Sequence, residues 1–259
     1  MSAYVRAAST DVSFFNFIIQ TVLHVDHMQH VARQTLDNKE YLKDAGKLAQ
    51  EDPGRGTRFL RENAQGFLEM FVARMVDNFQ KYLVDLIREI LHSKPDMLRT
   101  RQQSLTLEEL LGYKRIEDLV HDVIERKVNS LSYEGFAELE KWCLERGIVI
   151  EIPSPEGNRI IELIATRNIV AHNRCIVDER YLRTVRASKL EAGVRRALNV
   201  EYFFDSLLLL NNIAFKTDAA SRKKFSLPAV KFEPEAAKSE GDKALSPAAD
   251  GDGMAGTQS

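Results

Sequence analysis

Residues 63–92 read NAQGFLEMFVARMVDNFQKYLVDLIREILH. Leu68, Phe71, Val72, Met75, Phe79, Tyr82, Leu86 and Ile90 recur there at three- and four-residue steps, the signature of one apolar stripe on an α-helix. Ser93, Lys94 and Pro95 stop the pattern. At 1.5 Å per residue the segment would span roughly 45 Å, enough to form the backbone of a helical bundle.

Helical signals continue on both sides. Residues 11–48 carry Phe14, Phe17, Ile18, Val22 and Val25 at helical spacing, and 51–57 form a polar loop. In that loop Pro53, Gly54, Arg55 and Gly56 lack the spacing and the following Lys-Ser/Thr of a phosphate-binding loop, so a plain turn is expected. Downstream, Thr106 to Glu109 make a capping-box signature. Helices are predicted over 116–128 and 133–145, with Gly147 as a C-terminal cap. Residues 148–152 alternate enough to be extended, without a partner strand. Ser154, Pro155 and Glu156 predict a helix start, running to about residue 175. Asp178 can cap another turn, and a last helix is expected over 189–215. The expected fold is therefore all-α: an N-terminal helical extension (1–60), a helical domain (61–217) and a disordered tail (218–259) rich in Ala, Gly, Ser, Pro, Lys and Glu.

The chain has 259 residues, with 36 Lys+Arg against 38 Asp+Glu, so it carries a formal net charge of −2. That balance argues against a uniformly basic nucleic-acid-binding surface but leaves room for a local one. Two cysteines, Cys143 and Cys175, cannot build a disulfide framework or a four-cysteine zinc site. No signal peptide or membrane span is expected, since the apolar stretch at 12–25 is broken by Ser13, Asn16, Gln20, Thr21 and His24. A cytoplasmic location is the default expectation.

Chemistry concentrates in the helix predicted to begin near Pro155. Plotted at 100° per residue, it is apolar nearly all round, with Glu162 on it, so it should be central and largely buried. Yet Arg167, Asn168 and His172 share an arc with Ile160, Ile161, Ile164 and Ala171. A buried guanidinium and imidazole cost several kcal/mol unless paired or used. Asn168 and His172 are four apart and can touch, whereas Arg167 and His172 would flank a groove. Such a pair suits an anion held by Arg while His moves a proton. It would equally suit a structural cluster in which Arg167 reaches a carboxylate. Asp77, Asn78 and Asp85 on the long helix are the candidate partners of Arg167.

The string Glu162-Leu163-Ile164-Ala165-Thr166-Arg167-Asn168-Ile169-Val170-Ala171-His172-Asn173, followed by Ile176 to Leu182, resembles the HEPN superfamily of all-α domains. It is most similar to the stand-alone prokaryotic branch called RiboL-PSP-HEPN. That superfamily's signature is Arg, four to six residues, then His, with a polar residue commonly after the Arg; here these fall on Arg167, Asn168 and His172. The resemblance implies metal-independent endoribonuclease activity in a homodimer, with 2′,3′-cyclic phosphate and 5′-hydroxyl products. It also implies a role as a toxin or anti-phage effector, with RNA as substrate and an antitoxin or other regulator as partner. In nucleotidyltransferase-paired members a Tyr follows the His by two positions; here that position is Arg174, which speaks against regulation by tyrosine modification. The alternative is a non-catalytic HEPN module that binds a nucleotide or a protein. A helical scaffold that docks a partner through its N-terminal helices is a weaker third.

Residues 167–196 hold eight basic residues against three acidic ones. Arg174, Arg180 and Arg183 are the expected RNA contacts, through attraction of phosphates. Solvated helix faces would look the same. His24, His27, His30 and Asp26 could meet around a metal, but such a run is more commonly a polar face, and neither a metal nor another cofactor is expected.

Overall fold

The apolar stripe of residues 68–90 becomes the axis of the molecule. The computed structural model describes residues 1–36, 54–99 and 106–228. Among these the helices are α1 (Ser2–Leu36), α2 (Arg55–Glu62), α3 (Ala64–Ser93), α4 (Leu107–Leu111), α5 (Ile116–Glu134), α6 (Phe136–Glu145), α7 (Gly157–Asn173), α8 (Glu179–Thr184) and α9 (Val200–Phe225), with a 3-10 turn at Pro95–Leu98. The described chain is all-α. Its only β feature is a single antiparallel bridge between Ile176 and Arg195. None of its helices is long and apolar enough to cross a membrane.

Of the 30 residues of α3, 13 are buried. Val76, Leu83, Ile87 and Leu91 lie outside the stripe read from sequence and are buried as well. That spread around the helix is what a centre requires, and α1, α5, α7 and α9 all pack on α3. Each fully buried Leu, Ile or Phe contributes roughly 1.5–3 kcal/mol, so this helix anchors the core.

The N-terminal segment is not an appendage. α1 starts at Ser2 rather than near residue 11, and its Phe15 packs among Phe71, Phe67 and Phe203 with ring centroids 5.2–5.3 Å apart. The Tyr4 hydroxyl donates to Asn211 Oδ1 at 2.7 Å, and Tyr82 donates to the Ala214 carbonyl at 3.0 Å, tying α1 and α3 to α9. Buried Asp11 on α1 accepts from Arg74 and, at 2.6 Å, from Asn78 Nδ2. Part of the helix expected over 11–48, residues 37–48, lies outside the described residues.

Asp26 fastens α2 to α1. Its carboxylate accepts from the backbone N–H of Gly56 (3.0 Å) and Thr57 (2.7 Å) and from the Thr57 hydroxyl, satisfying donors that the first turn of α2 would leave open. Gly54 (φ 89°) makes the turn, and a Cβ on Gly56 would stand 2.8 Å from Val22 Cγ1, so the close approach needs a glycine there. These hydrogen bonds, that of the Thr57 hydroxyl foremost, hold the Asp26 carboxyl below its ordinary range. Its contribution is therefore complete above about pH 5 and is lost as pH falls through the lowered folded value. Asp26→Ala should cost roughly 1 kcal/mol at pH 7. The gap between the melts of wild type and variant should narrow as pH falls below the ordinary carboxylate range; a gap that does not narrow would contradict this account.

Local caps follow their predicted chemistry. Thr106 and Glu109 form both halves of the capping box. Gly147 (φ 69°) follows α6, and the Ile148 N–H closes on the Cys143 carbonyl at 2.8 Å. Asp178 accepts from Tyr181 N at 2.7 Å to start α8.

Two expectations are corrected. Ser154, Pro155 and Glu156 form a turn, and α7 begins only at Gly157 without a side-chain cap. The last helix covers Val200–Phe225, not 189–215. Residues before Asn199 are committed elsewhere. Arg196 N donates to the Cys175 carbonyl at 2.8 Å, while Gln65 binds the Arg196 carbonyl (2.8 Å) and Leu198 N (2.9 Å). The Asn199 side chain then caps α9 by accepting from Tyr202 N. At its other end α9 passes the expected boundary at 217 because Thr217, Asp218 and Ser221 are buried polar positions. Arg222 joins Asp218 (2.7 Å) and Glu89 on α3 (3.0 Å). The rest of the expected tail, residues 229–259, lies outside the described residues.

Candidate functional site

α7 covers α3 with Ile160, Leu163, Thr166 and Ile169, all at most 3% exposed. The expectation that this helix is buried nearly all round is not met. Ile161 is 40% exposed, Ala171 and His172 are exposed, and Ile164 and Asn168 are only partly covered. α3 takes the central place, and α7 lies against one side of it with an open face.

That face carries the chemistry. Arg167 Nε donates to Asp77 Oδ1 on α3 at 2.6 Å, and its Nη1 donates to Asn168 Oδ1 at 3.2 Å. Of the three candidate partners, Asp77 is therefore the one used. Asn78 instead serves Asp11, and Asp85 accepts from Lys81 and Arg88. The side chain of Arg167 is 26% exposed and that of Asp77 48%, so the pair contributes at most about 1 kcal/mol to stability. Its effect is orientation: the guanidinium is aimed by two acceptors and keeps three of its five N–H donors for a ligand. Asn168 bonds to Arg167 and makes no hydrogen bond to His172, the neighbour four residues on that it could have touched. His172 makes no hydrogen bond among the described residues and stands in solvent in the last turn of α7.

The chain then reverses sharply. Arg174 (φ 52°) and Cys175 (φ 61°) are both left-handed, a conformation that costs a non-glycine residue on the order of 1 kcal/mol or more. It is held by Cys175 N on the Ile169 carbonyl (2.9 Å) and by Asn173 Nδ2 on the Ile176 carbonyl (2.8 Å). Neither cysteine offers a nucleophile. Both are buried, and burial pushes the Cys143 thiol up to about 12 and the Cys175 thiol up to about 11.

The eight basic residues of 167–196 divide into two groups. Arg167, Arg195 and Arg196 are paired with Asp77, Glu69 and Glu162. Arg174, Arg180, Arg183, Arg186 and Lys189 are exposed and have no ion pair among the described residues. The three expected RNA contacts all fall in the unpaired group. Arg196 was missed as a buried residue: its side chain is 13% exposed, bonded to Glu162 and to the Tyr181 hydroxyl (2.9 Å), with Tyr202 5.0 Å beneath it. The signal was Glu162, the one acidic residue of α7. Beside this cluster a cleft of about 410 Å3 is lined by Arg159, Glu162, Tyr181, Lys189 and Arg196 and does not include the Arg167 group.

On α1, Asp26 is consumed as a cap and His30 pairs with Gln34 at 2.9 Å, and among the described residues the His24–His27–His30 run does not bring three ligand atoms together. No family model matches the chain, and neither the curated proteins nor the solved structures compared with it give a significant match.

Proposed function

We propose that this chain is a metal-independent endoribonuclease of the HEPN type, working as a homodimer. The observation that carries the proposal is an Arg167 oriented by Asp77 and Asn168, with donors to spare, and, five residues further along the same helix at the other edge of its open face, an exposed His172 that makes no hydrogen bond among the described residues. The chemistry follows from these groups. Arg167 holds the scissile phosphate and offsets charge developing on its oxygens. One His172 takes the proton of the 2′-hydroxyl, whose oxygen attacks phosphorus. The bond to the 5′-oxygen breaks, and that oxygen takes a proton from the second His172 of the dimer. The products are a 2′,3′-cyclic phosphate and a 5′-hydroxyl.

The half-open apolar positions earlier on the same helix, Ile161 and Ile164, suit burial against the same helix of a second copy, which would bring two motifs into one cleft. Arg174, Arg180 and Arg183 supply the surrounding positive surface for RNA. A toxin or anti-phage role, with an antitoxin or regulator as partner, accords with such an activity. Incubation of the purified chain with structured and unstructured RNA in EDTA, with mapping of the ends, tests the proposal. Cyclic-phosphate ends are expected, and failure to cut any RNA overturns it.

One observation favours a second reading, a non-catalytic nucleotide-binding module: the cleft of about 410 Å3 beside Arg159 and Lys189 is large enough for a small ligand. In that case Lys189→Ala weakens nucleotide binding and His172→Ala does not.

A further inference from the structure

At the far end of α3, two imidazoles and a carboxylate from two helices meet outside the site described above. We propose that His92, His121 and Glu125 bind one divalent transition-metal ion of the zinc type. His92 occupies the last turn of α3, while His121 and Glu125 are four apart on one face of α5. The imidazole rings stack with centroids 5.3 Å apart and planes 29° from parallel, and one ligand atom from each of the three residues lies within 4.8 Å of the other two. Bonds of about 2.0–2.2 Å in a tetrahedron put ligand atoms roughly 3.3 Å apart. The remaining closure, on the order of 1 Å, lies within the side-chain rotations open to two exposed histidines.

Glu125 is already set for one bond. Its Oε1 accepts from Arg88 Nε at 2.7 Å, which leaves Oε2 for an ion, and Asp85 shares the charge of Arg88. A carboxylate ligand steadied through its other oxygen is the usual outer arrangement of metal sites. Two imidazole nitrogens and one oxygen select zinc, cobalt or nickel over calcium and magnesium, which favour oxygen ligands. Three protein ligands leave a fourth position for water. His92 follows Asp77 by fifteen positions on α3, about 22 Å along the axis, so this site is separate from Arg167 and does not depend on the proposed ribonuclease activity. The ion would clamp α3 to α5.

The test is titration of the full chain with Zn2+ by calorimetry, with Co2+ absorption as the coordination signature. One ion per chain is expected. His92→Ala and His121→Ala should weaken binding by more than the roughly 10–100-fold that loss of an outer-shell partner costs. Zinc should raise the melting temperature of wild type only, while the metal-free melts of all three proteins agree, since both histidines are exposed. A His27→Ala/His30→Ala double variant should bind as wild type does. Absence of saturable binding in wild type, or binding that survives His121→Ala, overturns the proposal.

Discussion

His172→Ala should lower the RNA-cleavage rate roughly a thousandfold, since a positioned proton-transfer group contributes about 10²–10⁴. Arg167→Ala should lose about 10²–10³, the usual effect of removing a donor aimed at developing charge. Both variants should fold. His172 is exposed and unbonded among the described residues, and a surface substitution of that kind stays within about 0.5 kcal/mol. The Arg167–Asp77 pair is half exposed, so its loss costs no more than about 1 kcal/mol. Single-turnover cleavage of a labelled RNA in EDTA, beside a thermal melt of each variant, separates chemistry from folding. Wild-type cleavage retained in folded His172→Ala would remove the histidine from the mechanism.

Glu162→Leu should be strongly destabilising. It strips the carboxylate from Arg196, whose side chain is only 13% exposed and whose Nε already lacks a partner, and leaves a guanidinium among Tyr181 and Tyr202. Breaking a buried pair on one side costs about 3–5 kcal/mol. With Glu162 30% exposed, the lower end of that range is expected. Such a loss is a large share of a domain's total of roughly 5–15 kcal/mol. The double change Glu162→Leu with Arg196→Met should recover most of it, because matched apolar replacements of an ion pair are close to neutral. Urea unfolding of the two single variants and the double completes the cycle. Additive effects would show that Glu162 and Arg196 do not act as a pair.

How far these features can be read from sequence depends on the range of the interaction. Thr106 with Glu109, Gly147 and Asp178 were legible because a cap satisfies backbone groups within three or four residues. The α3 stripe was legible because its period is that of the helix. Apolar character around α7 suggested burial but could not name what would cover it, and within one chain Ile161, Ala171 and His172 are open. α9 outran its predicted end because Thr217, Asp218 and Ser221 face the interior, and polar residues leave no hydrophobic period. A charge count put Arg196 on the surface with its neighbours, since counting is blind to Glu162 one helix away. Proximity of α3 narrowed the partner of Arg167 to three residues; only the rotation of the helix chose Asp77.

That choice bears on how a polyanion would approach. With Asp77 against it, Arg167 contributes almost no field beyond the screening length of about 8 Å at physiological salt. Arg174, Arg180, Arg183, Arg186 and Lys189, lacking such partners among the described residues, generate the attraction felt at range. If the proposed ribonuclease reading holds, arrival and capture fall to different residues. For the proposed RNA substrate, the encounter rate would follow ionic strength through the five exposed cations, whereas the final step would engage the three N–H donors that Arg167 keeps free while Asp77 and Asn168 hold it in position.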